Sequence, residues 1–387
     1  MTPGGRPHLK PIRRLRFAVM GLLLFGVAAP GLMALLRWND GREQLFLILN
    51  SALNWDSNLF ASANAKSDTS LTTSASADYE RRAGMLGINA SLGAEVGHFF
   101  KYDSEDYVNP RGSFELFKNS GRTTGSLLLS AGRESRADVA ANVRAESWNY
   151  DAALKVRYPV IHRYAIAGSL GYNFQDFTNN ALLVDLTTWT ASADVLYAKD
   201  SKHDLFVGYR LRLTESQLDT SSYDHAFTVG MSGRIAPKFN GTVRLGYQFR
   251  DTSGPLRNED FSALNAGIAV TWTLTRRLNM TGQISKDFAT TSTDISNDAF
   301  ISALDIKMNL NPKLNVFGGI GYGINDFLGS RGAGRKDEYT TVSVGGRYTL
   351  NDKASLSLTA SHLDNSSNVS IADYDRDAVT FGLHCRF

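Results

Sequence analysis

The last nine residues of the chain, Val379-Thr-Phe-Gly-Leu-His-Cys-Arg-Phe387, alternate between apolar side chains and polar or small ones. Successive residues of a β-strand point to opposite faces, so this stretch predicts a strand with one apolar and one polar face. The same period of two recurs in residues 205–213 and 243–250. After residue 40 no stretch has a helical period, so the rest of the chain is predicted to be all-β.

The alternating runs are about 10 to 14 residues long, and the connections between them are alternately short and long. Short connections lie near residues 160–163 and 311–313, and long ones near 134–145 and 215–224. Strands of soluble proteins average about 5 or 6 residues, whereas a tilted strand of about 9 to 11 residues crosses a bilayer. Tight turns at one end and longer loops at the other are typical of outer-membrane barrels.

Aromatic residues gather near both ends of the predicted strands, as in the two interfacial belts of membrane barrels. Those near the short turns are Tyr158, Tyr164, Tyr197, Trp272, Tyr348 and Phe387. Those near the long connections are Trp55, Trp148, Tyr172, Phe174, Tyr247 and Phe249. The alternative is a large soluble β-protein with these aromatics in its core. We predict a single transmembrane antiparallel up-and-down β-barrel of about 18 strands (about 16 to 18), with short periplasmic turns and long extracellular loops, in the outer membrane of a Gram-negative cell.

The N-terminus predicts a secretory signal peptide over residues 1–34. A basic stretch that ends at Arg16 precedes an apolar run from Phe17 to Ala29, which is too short for a comfortable membrane-spanning helix. The alternative is an uncleaved anchor helix that extends to Leu36. Residues 35–43 are then a short periplasmic lead-in, and 44–387 the barrel.

The net charge of the chain excludes one class of partner. The first 34 residues carry five basic side chains and no acid, so the formal charge of +3 for the whole chain becomes −2 for the remainder. A nearly neutral protein gives no reason to expect nucleic-acid binding. The single cysteine, Cys385, cannot form an internal disulfide.

The C-terminal strand resembles the signal that the barrel-assembly machinery recognises. The residues that carry this resemblance are the apolar Phe381 and Leu383 and the final Phe387. It implies that the assembly machinery is a partner of the chain, beside outer-membrane lipid and lipopolysaccharide.

A short motif at the end of the first predicted strand resembles the Putative β-barrel porin 2 family. The matching residues are Trp55, Asp56, Asn58, Leu59 and Phe60. The more usual form of the family motif has a second Asp where this chain has Ser57. The resemblance in layout covers roughly residues 43–387, and it implies a barrel that works with a polysaccharide and its export apparatus. A structural interpretation stands beside it, with Trp55 in the aromatic belt and the Asp and Asn capping a turn.

Alternation also predicts which charged residues line the lumen. The basic ones are Lys155, Arg157, Arg210, Arg212, Arg234, Arg244, Arg250, Lys307, Arg347 and Arg386. The acids predicted on the same faces are Asp78, Glu95, Glu115, Asp151, Asp194 and Asp305. One hypothesis is that the basic excess favours anionic solutes or an acidic polysaccharide. The other is that the charges pair across strands and keep the lumen wet.

The sequence predicts no enzyme and no cofactor, because it contains no phosphate loop, zinc motif or dinucleotide fingerprint. Asp224-His225 and Ser361-His362 with Asn365 are the only groups that suggest catalysis, and neither matches an outer-membrane hydrolase signature. The predicted function is a channel or export component for exopolysaccharide, without catalysis. The alternatives are a general diffusion porin and a structural or anchoring barrel with a plugged lumen.

Overall fold

The computed structural model describes residues 36–39, 42–178, 182–200, 202–255 and 257–387. The predicted signal peptide, residues 1–34, lies outside the described residues. The strands are β1 (Leu36–Trp38), β2 (Glu43–Asp56), β3 (Asp68–Ala83), β4 (Leu86–Phe99), β5 (Tyr107–Lys118), β6 (Thr124–Asp138), β7 (Val143–Ile161), β8 (Tyr164–Phe177), β9 (Leu186–Ala198), β10 (His203–Ser216), β11 (Ser221–Ala236), β12 (Phe239–Gly254), β13 (Arg257–Thr273), β14 (Leu278–Thr290), β15 (Ser296–Asn309), β16 (Leu314–Phe327), β17 (Lys336–Asn351), β18 (Ala354–Ser367) and β19 (Tyr374–Arg386).

Helical structure is confined to connections. A four-residue helix, α1 (Gly329–Gly332), joins β16 to β17, and 3-10 turns occupy Asp103–Glu105 and Ser370–Ala372. No helix in the described ranges has the length and apolar character needed to cross a membrane.

Strands β2 to β19 form one closed antiparallel barrel of 18 strands, because each pairs with its neighbours in sequence and β19 returns to β2. Phe387 extends the closing pair through two backbone hydrogen bonds with Leu47, of 2.9 and 3.0 Å. Closure satisfies the backbone groups of every strand where no water is available. The predicted all-β barrel of about 18 strands is therefore confirmed. The short strand β1 is not part of this wall; it pairs with the start of β2.

The outer surface of the barrel is apolar. Large side chains such as Leu92, Val207, Leu264 and Val344 are between 63% and 73% exposed. An apolar belt of this size would be unfavourable in water and is the face that a membrane barrel turns to lipid. Rings from neighbouring strands pack within this belt, among them Tyr172 with Trp189 at a centroid distance of 4.5 Å.

The outer connections differ in part from the long loops that we predict from sequence. Residues 134–145 are mostly paired strand, and only 139–142 form the tip between β6 and β7. Likewise, β10 and β11 remain paired as far as Glu215 opposite Ser221. Beyond the bilayer a strand no longer needs apolar residues on its outer face. The alternation that marks a membrane strand therefore fades while the hydrogen-bonded ladder continues.

Candidate functional site: the barrel lumen

The polar face of each strand lines the lumen. On β10 the side chains of Leu205, Val207 and Tyr209 face outward, so Arg210 and Arg212 lie on the inner face. Backbone pairing places cross-strand partners on the same face, and by this rule Arg244 and Arg250 on β12 also point inward.

A network of buried charges joins β10, β11 and β12 at the outer end of the lumen. Asp224 is fully buried and accepts hydrogen bonds from the Nε of Arg212 at 2.7 Å and from the Nε and Nη2 of Arg250 at 2.5 and 2.8 Å. Arg250 is fully buried as well. Buried charges need compensation, and here one carboxylate lies between two guanidinium groups. A second carboxylate, Asp287 on β14, accepts two 2.7 Å bonds from Arg210 and longer ones from Arg212.

Three further predicted lumen cations also have acidic partners, and all three pairs skip at least one intervening strand. Arg244 binds Asp194 on β9 through two bonds of 2.7 and 2.9 Å, and Arg157 binds Asp204 at 2.8 Å. Arg386 lies 3.5 Å from Glu80. Four of the acids in these pairs and in the network above are absent from the predicted lumen acids, although they also lie at alternating positions of their strands. They are Glu80, Asp204, Asp224 and Asp287.

The remaining predicted cations have no acidic partner within the described part of the chain. Lys155, Lys307 and Arg347 are exposed on the inner face. Arg234 is different, because it follows a β-bulge at Gly233, where φ is +109° and the register shifts. The alternation from which we predicted its inward direction is interrupted there, so its placement in the lumen does not follow.

Acidic side chains on the opposite part of the wall are held by neutral donors. Asp78 accepts from Ser91 at 2.7 Å, Glu115 from Asn89 at 2.8 Å, and Glu95 from the hydroxyl of Tyr107 at 2.8 Å. On β7, Asp151 accepts from Asn173 at 2.7 Å and from Ser130 at 3.3 Å. These four carboxylates form no ion pair among the described residues, although Arg111 and Arg133 border the same groove as Asp78, Glu95 and Asp151.

The outer half of the β14–β15 hairpin leaves the barrel wall and folds into the lumen. Pairing between β13 and β14 ends at Ala266 opposite Lys286, although both strands continue. Beyond that point Arg250 donates to the carbonyl of Ala289 at 2.7 Å, and Arg212 donates to the carbonyl of Phe288. The Phe288 ring is 2% exposed, with the Arg250 guanidinium 5.3 Å from its centre. The outer face of this hairpin therefore packs on the inner face of β12.

The β6–β7 hairpin folds inward in the same manner. Pairing between β5 and β6 ends at Arg111 opposite Gly132, and the hairpin continues alone. Arg144 lies over the rings of Phe99 and Tyr107, which belong to β4 and β5, at 4.7 and 5.7 Å. Here the cation is on the hairpin and the aromatic rings are on the wall, the reverse of the Phe288 contact. The two hairpins are eight strands apart in the 18-strand barrel and approach the lumen from nearly opposite sides.

The motif at Trp55–Phe60 joins the first strand to the last. Asp56 forms a bidentate ion pair with Arg376 on β19 and accepts from the backbone of Asn58 at 2.9 Å. Asn58, fully buried, donates to the carbonyls of Ser62 and Asp375 at 2.8 and 3.1 Å. Trp55 is 43% exposed on the outer face. These contacts support the structural interpretation, with Trp55 in the belt and Asp56 and Asn58 ordering the turn.

The two pairs of neighbours considered for catalysis are each split between the two faces of a strand. Ser361 and His362 are successive residues of β18, and His362 contacts Asp377 at 2.8 Å. Asp224 and His225 point to opposite faces of β11; Asp224 joins the arginine network, and His225 contacts the hydroxyl of Tyr209 at 2.7 Å. In the described ranges no group of three or more His, Cys, Asp or Glu side chains is arranged to hold a metal ion.

Solved structures that match this fold include the outer membrane protein OpdK of Pseudomonas aeruginosa. The structure of OpdK with vanillate matches with a TM-score of 0.52 and 12% identity, and the alignment covers 89% of this chain and 99% of that one. OccK2 (OpdF) matches with a TM-score of 0.51 and 9% identity over 89% and 98% of the two chains. The same protein in complex with glucuronate matches with a TM-score of 0.50 and 10% identity over the same shares. At these identities the likeness establishes the fold alone.

No curated protein has a significantly similar sequence. The family model of Putative beta-barrel porin 2 matches residues 221–387, strands β11 to β19. This region does not include the Trp55–Phe60 motif from which the resemblance was drawn. The match nevertheless confirms the resemblance over that C-terminal part, and the chain is a porin-like β-barrel of the Gram-negative outer membrane whose strands β11 to β19 match the family model.

Proposed function

We propose that the barrel is a channel through which polar solutes diffuse, without catalysis. The observation that carries this proposal is the lumen wall itself, which is lined by hydroxyl, amide and charged side chains. A groove on the inner face of β2 to β7 is bordered by Asn50, Asp78, Arg111, Ser130 and Asp151. Such a surface replaces part of the hydration shell of a passing solute, as the lumen of a water-filled barrel does.

The charge distribution favours weak ion selectivity rather than strong anion selectivity. Six of the ten predicted lumen cations have carboxylate partners, so their charge is compensated locally. Of the cations without an acidic partner in the described residues, Lys155 lies on β7 in the same groove as Glu115, whereas Lys307 and Arg347 lie on β15 and β17. A lumen of mixed sign focuses neither anions nor cations strongly. This arrangement supports the ion-pairing hypothesis over the anion-selective one.

Passage of an exopolysaccharide is the finer form of this proposal. It rests on the family resemblance, on the hydrogen-bonding capacity of the wall, and on the sugar acid glucuronate bound by the structural neighbour OccK2. In the described part of the chain, the two inward hairpins narrow the outer end of the lumen. An extended polymer therefore needs either a wider state or a path beside them. The polysaccharide, its export apparatus, the assembly machinery and lipopolysaccharide all remain proposed partners.

Planar-bilayer recording of the refolded protein tests the proposal. We expect stable conductance steps and a reversal potential close to zero in a KCl gradient. A large anion-selective potential would contradict the charge argument, and the absence of any conductance would contradict the channel itself.

Liposome swelling with sugars of increasing size then separates the two forms of the proposal. Entry of monosaccharides with exclusion of oligosaccharides would support a small-solute channel and contradict polymer passage. The Asp78→Asn variant is measured as well, because loss of an acid that has no ion-pair partner should shift the reversal potential in the direction of anion selectivity. The matched Lys155→Gln variant should move it toward cations.

A further inference from the structure

One loop contacts the tips of both inward hairpins. We call residues 328–335, which join β16 to β17 and include α1, the bridging loop. Arg331 and Arg335 lie four residues apart in this loop. Arg331 donates to Asp294 at the tip of β14–β15, and Arg335 donates to backbone carbonyls at the tip of β6–β7.

Several contacts hold the Arg335 side chain at the tip of the β6–β7 hairpin. Arg335 donates to the carbonyl of Ala140 at 2.8 Å and to that of Val139 at 2.9 Å. Its guanidinium is oriented by Asp337, at 2.6 to 3.1 Å, and lies 4.4 Å from the centre of the Phe327 ring. The Arg335 side chain is only 14% exposed. Charge-assisted hydrogen bonds held in this way are stronger than neutral ones, and they fix geometry.

The contact with the β14–β15 tip involves a buried carboxylate. Asp294 is fully buried, with φ of +58°, and its Oδ2 accepts from Arg331 at 2.8 Å and from Thr220 at 3.0 Å. The bridging loop is anchored to a third element as well, because the backbone N–H of Ser330 donates to Glu259 on β13 at 2.8 Å. Glu259 belongs to the outer segment of β13 that is no longer paired with β14.

We propose that the bridging loop positions both hairpins, and that Arg331 and Arg335 thereby set the largest solute that can enter the outer mouth. The inference rests on the proposed function of the lumen as a channel. The two hairpins come from nearly opposite sides of the barrel, and in the described part of the chain the bridging loop is the element whose side chains contact both tips. Loss of Arg331 or Arg335 removes the contact of the bridging loop with one hairpin tip, while Arg250 and Arg144 still hold the hairpins against the wall. Without the bridging loop the two tips are no longer fixed relative to each other, which widens the outer mouth.

The test compares the double variant Arg331→Ala/Arg335→Ala with the matched control Lys336→Ala. Lys336 begins β17 directly after the bridging loop. Among the described residues its side chain pairs with the exposed Glu338 alone, so the control removes a positive charge without changing a contact to either hairpin. Single-channel conductance and liposome swelling with a series of sugars are measured on all three proteins. We expect the double variant to conduct more and to admit larger sugars, and we expect the control to match the unmodified chain.

A purely structural role for the arginines would change stability and leave the size limit unaltered. Heat-dependent electrophoretic mobility therefore accompanies each measurement, and Arg335→Lys is included because a lysine can still donate to one carbonyl and should restore part of the limit. If the unmodified chain conducts and the double variant has the same conductance and size limit, the inference is overturned while the channel stands. If only the double variant conducts, the role of the bridging loop is supported, while free diffusion through the unmodified barrel is contradicted because the hairpins close it. If folded forms of both are silent, both proposals fail.

Discussion

Replacement of Asp224 by Asn should destabilise the barrel more than any other single charge removal in the lumen. The substitution keeps the size of the side chain and removes the one carboxylate that both Arg212 and Arg250 bind. Arg250 is fully buried and would retain the Ala289 carbonyl as an acceptor. Breaking a buried ion pair by removal of one partner costs about 3 to 5 kcal/mol. Because Arg212 keeps Asp287, we expect the lower end, about 3 kcal/mol.

The matched control is Asp194→Asn. Asp194 pairs with Arg244, and the two side chains are 17% and 31% exposed, so water and ions in the lumen screen this pair. We expect its loss to cost about 1 kcal/mol or less. The assay is urea-induced unfolding of the barrel in lipid vesicles, followed by tryptophan fluorescence and by electrophoretic mobility. A difference of about 2 kcal/mol between the variants corresponds to more than a tenfold change in the unfolding equilibrium. Equal destabilisation by the two substitutions would refute the view that the Asp224 network is dry and the Arg244 pair is wet.

Two further predictions concern closure of the barrel. Arg376→Ala should lower the free energy of unfolding by about 1 kcal/mol, because it removes a partly exposed ion pair with Asp56. The urea midpoint measures this change. A midpoint equal to that of the unmodified chain would count against a role of this contact in joining β2 to β19. Phe387→Ser should keep both backbone hydrogen bonds to Leu47. We still expect a smaller folded fraction in outer membranes, because the assembly machinery is expected to recognise the aromatic ring. An unchanged yield would show that the backbone pairing alone is sufficient.

The transmembrane part of the fold is almost fully encoded in local pattern. Alternation, short turns and aromatic belts each reflect the bilayer, which imposes the same demand on every strand, so 18 strands could be found from sequence one at a time. The outer ends of the strands are another matter. Residues 134–145 are predicted as a loop, because no lipid constrains their outer face and the alternation is lost. In the structure they pair as strands up to Asp138 opposite Val143. The inward fold of that hairpin depends on Arg144 reaching Phe99, a contact between residues far apart in the chain.

The lumen shows the same limit in electrostatic form. Alternation assigns Arg210, Arg212 and Arg250 to the inner face, and a count of charges then predicts a basic, anion-attracting passage. What decides their effect is the position of acids on other strands. Asp224 lies on the adjacent strand, whereas Asp287 reaches Arg210 because β14 has left the wall and entered the lumen. The first role of these arginines is therefore to hold the inward β14–β15 hairpin in place. They can attract an anion only to the extent that Asp224 and Asp287 leave their charge uncompensated. On this reasoning the selectivity of the channel lies with Lys155, Lys307, Arg347 and the acids of β3 to β7, and its aperture with the residues that hold the hairpins.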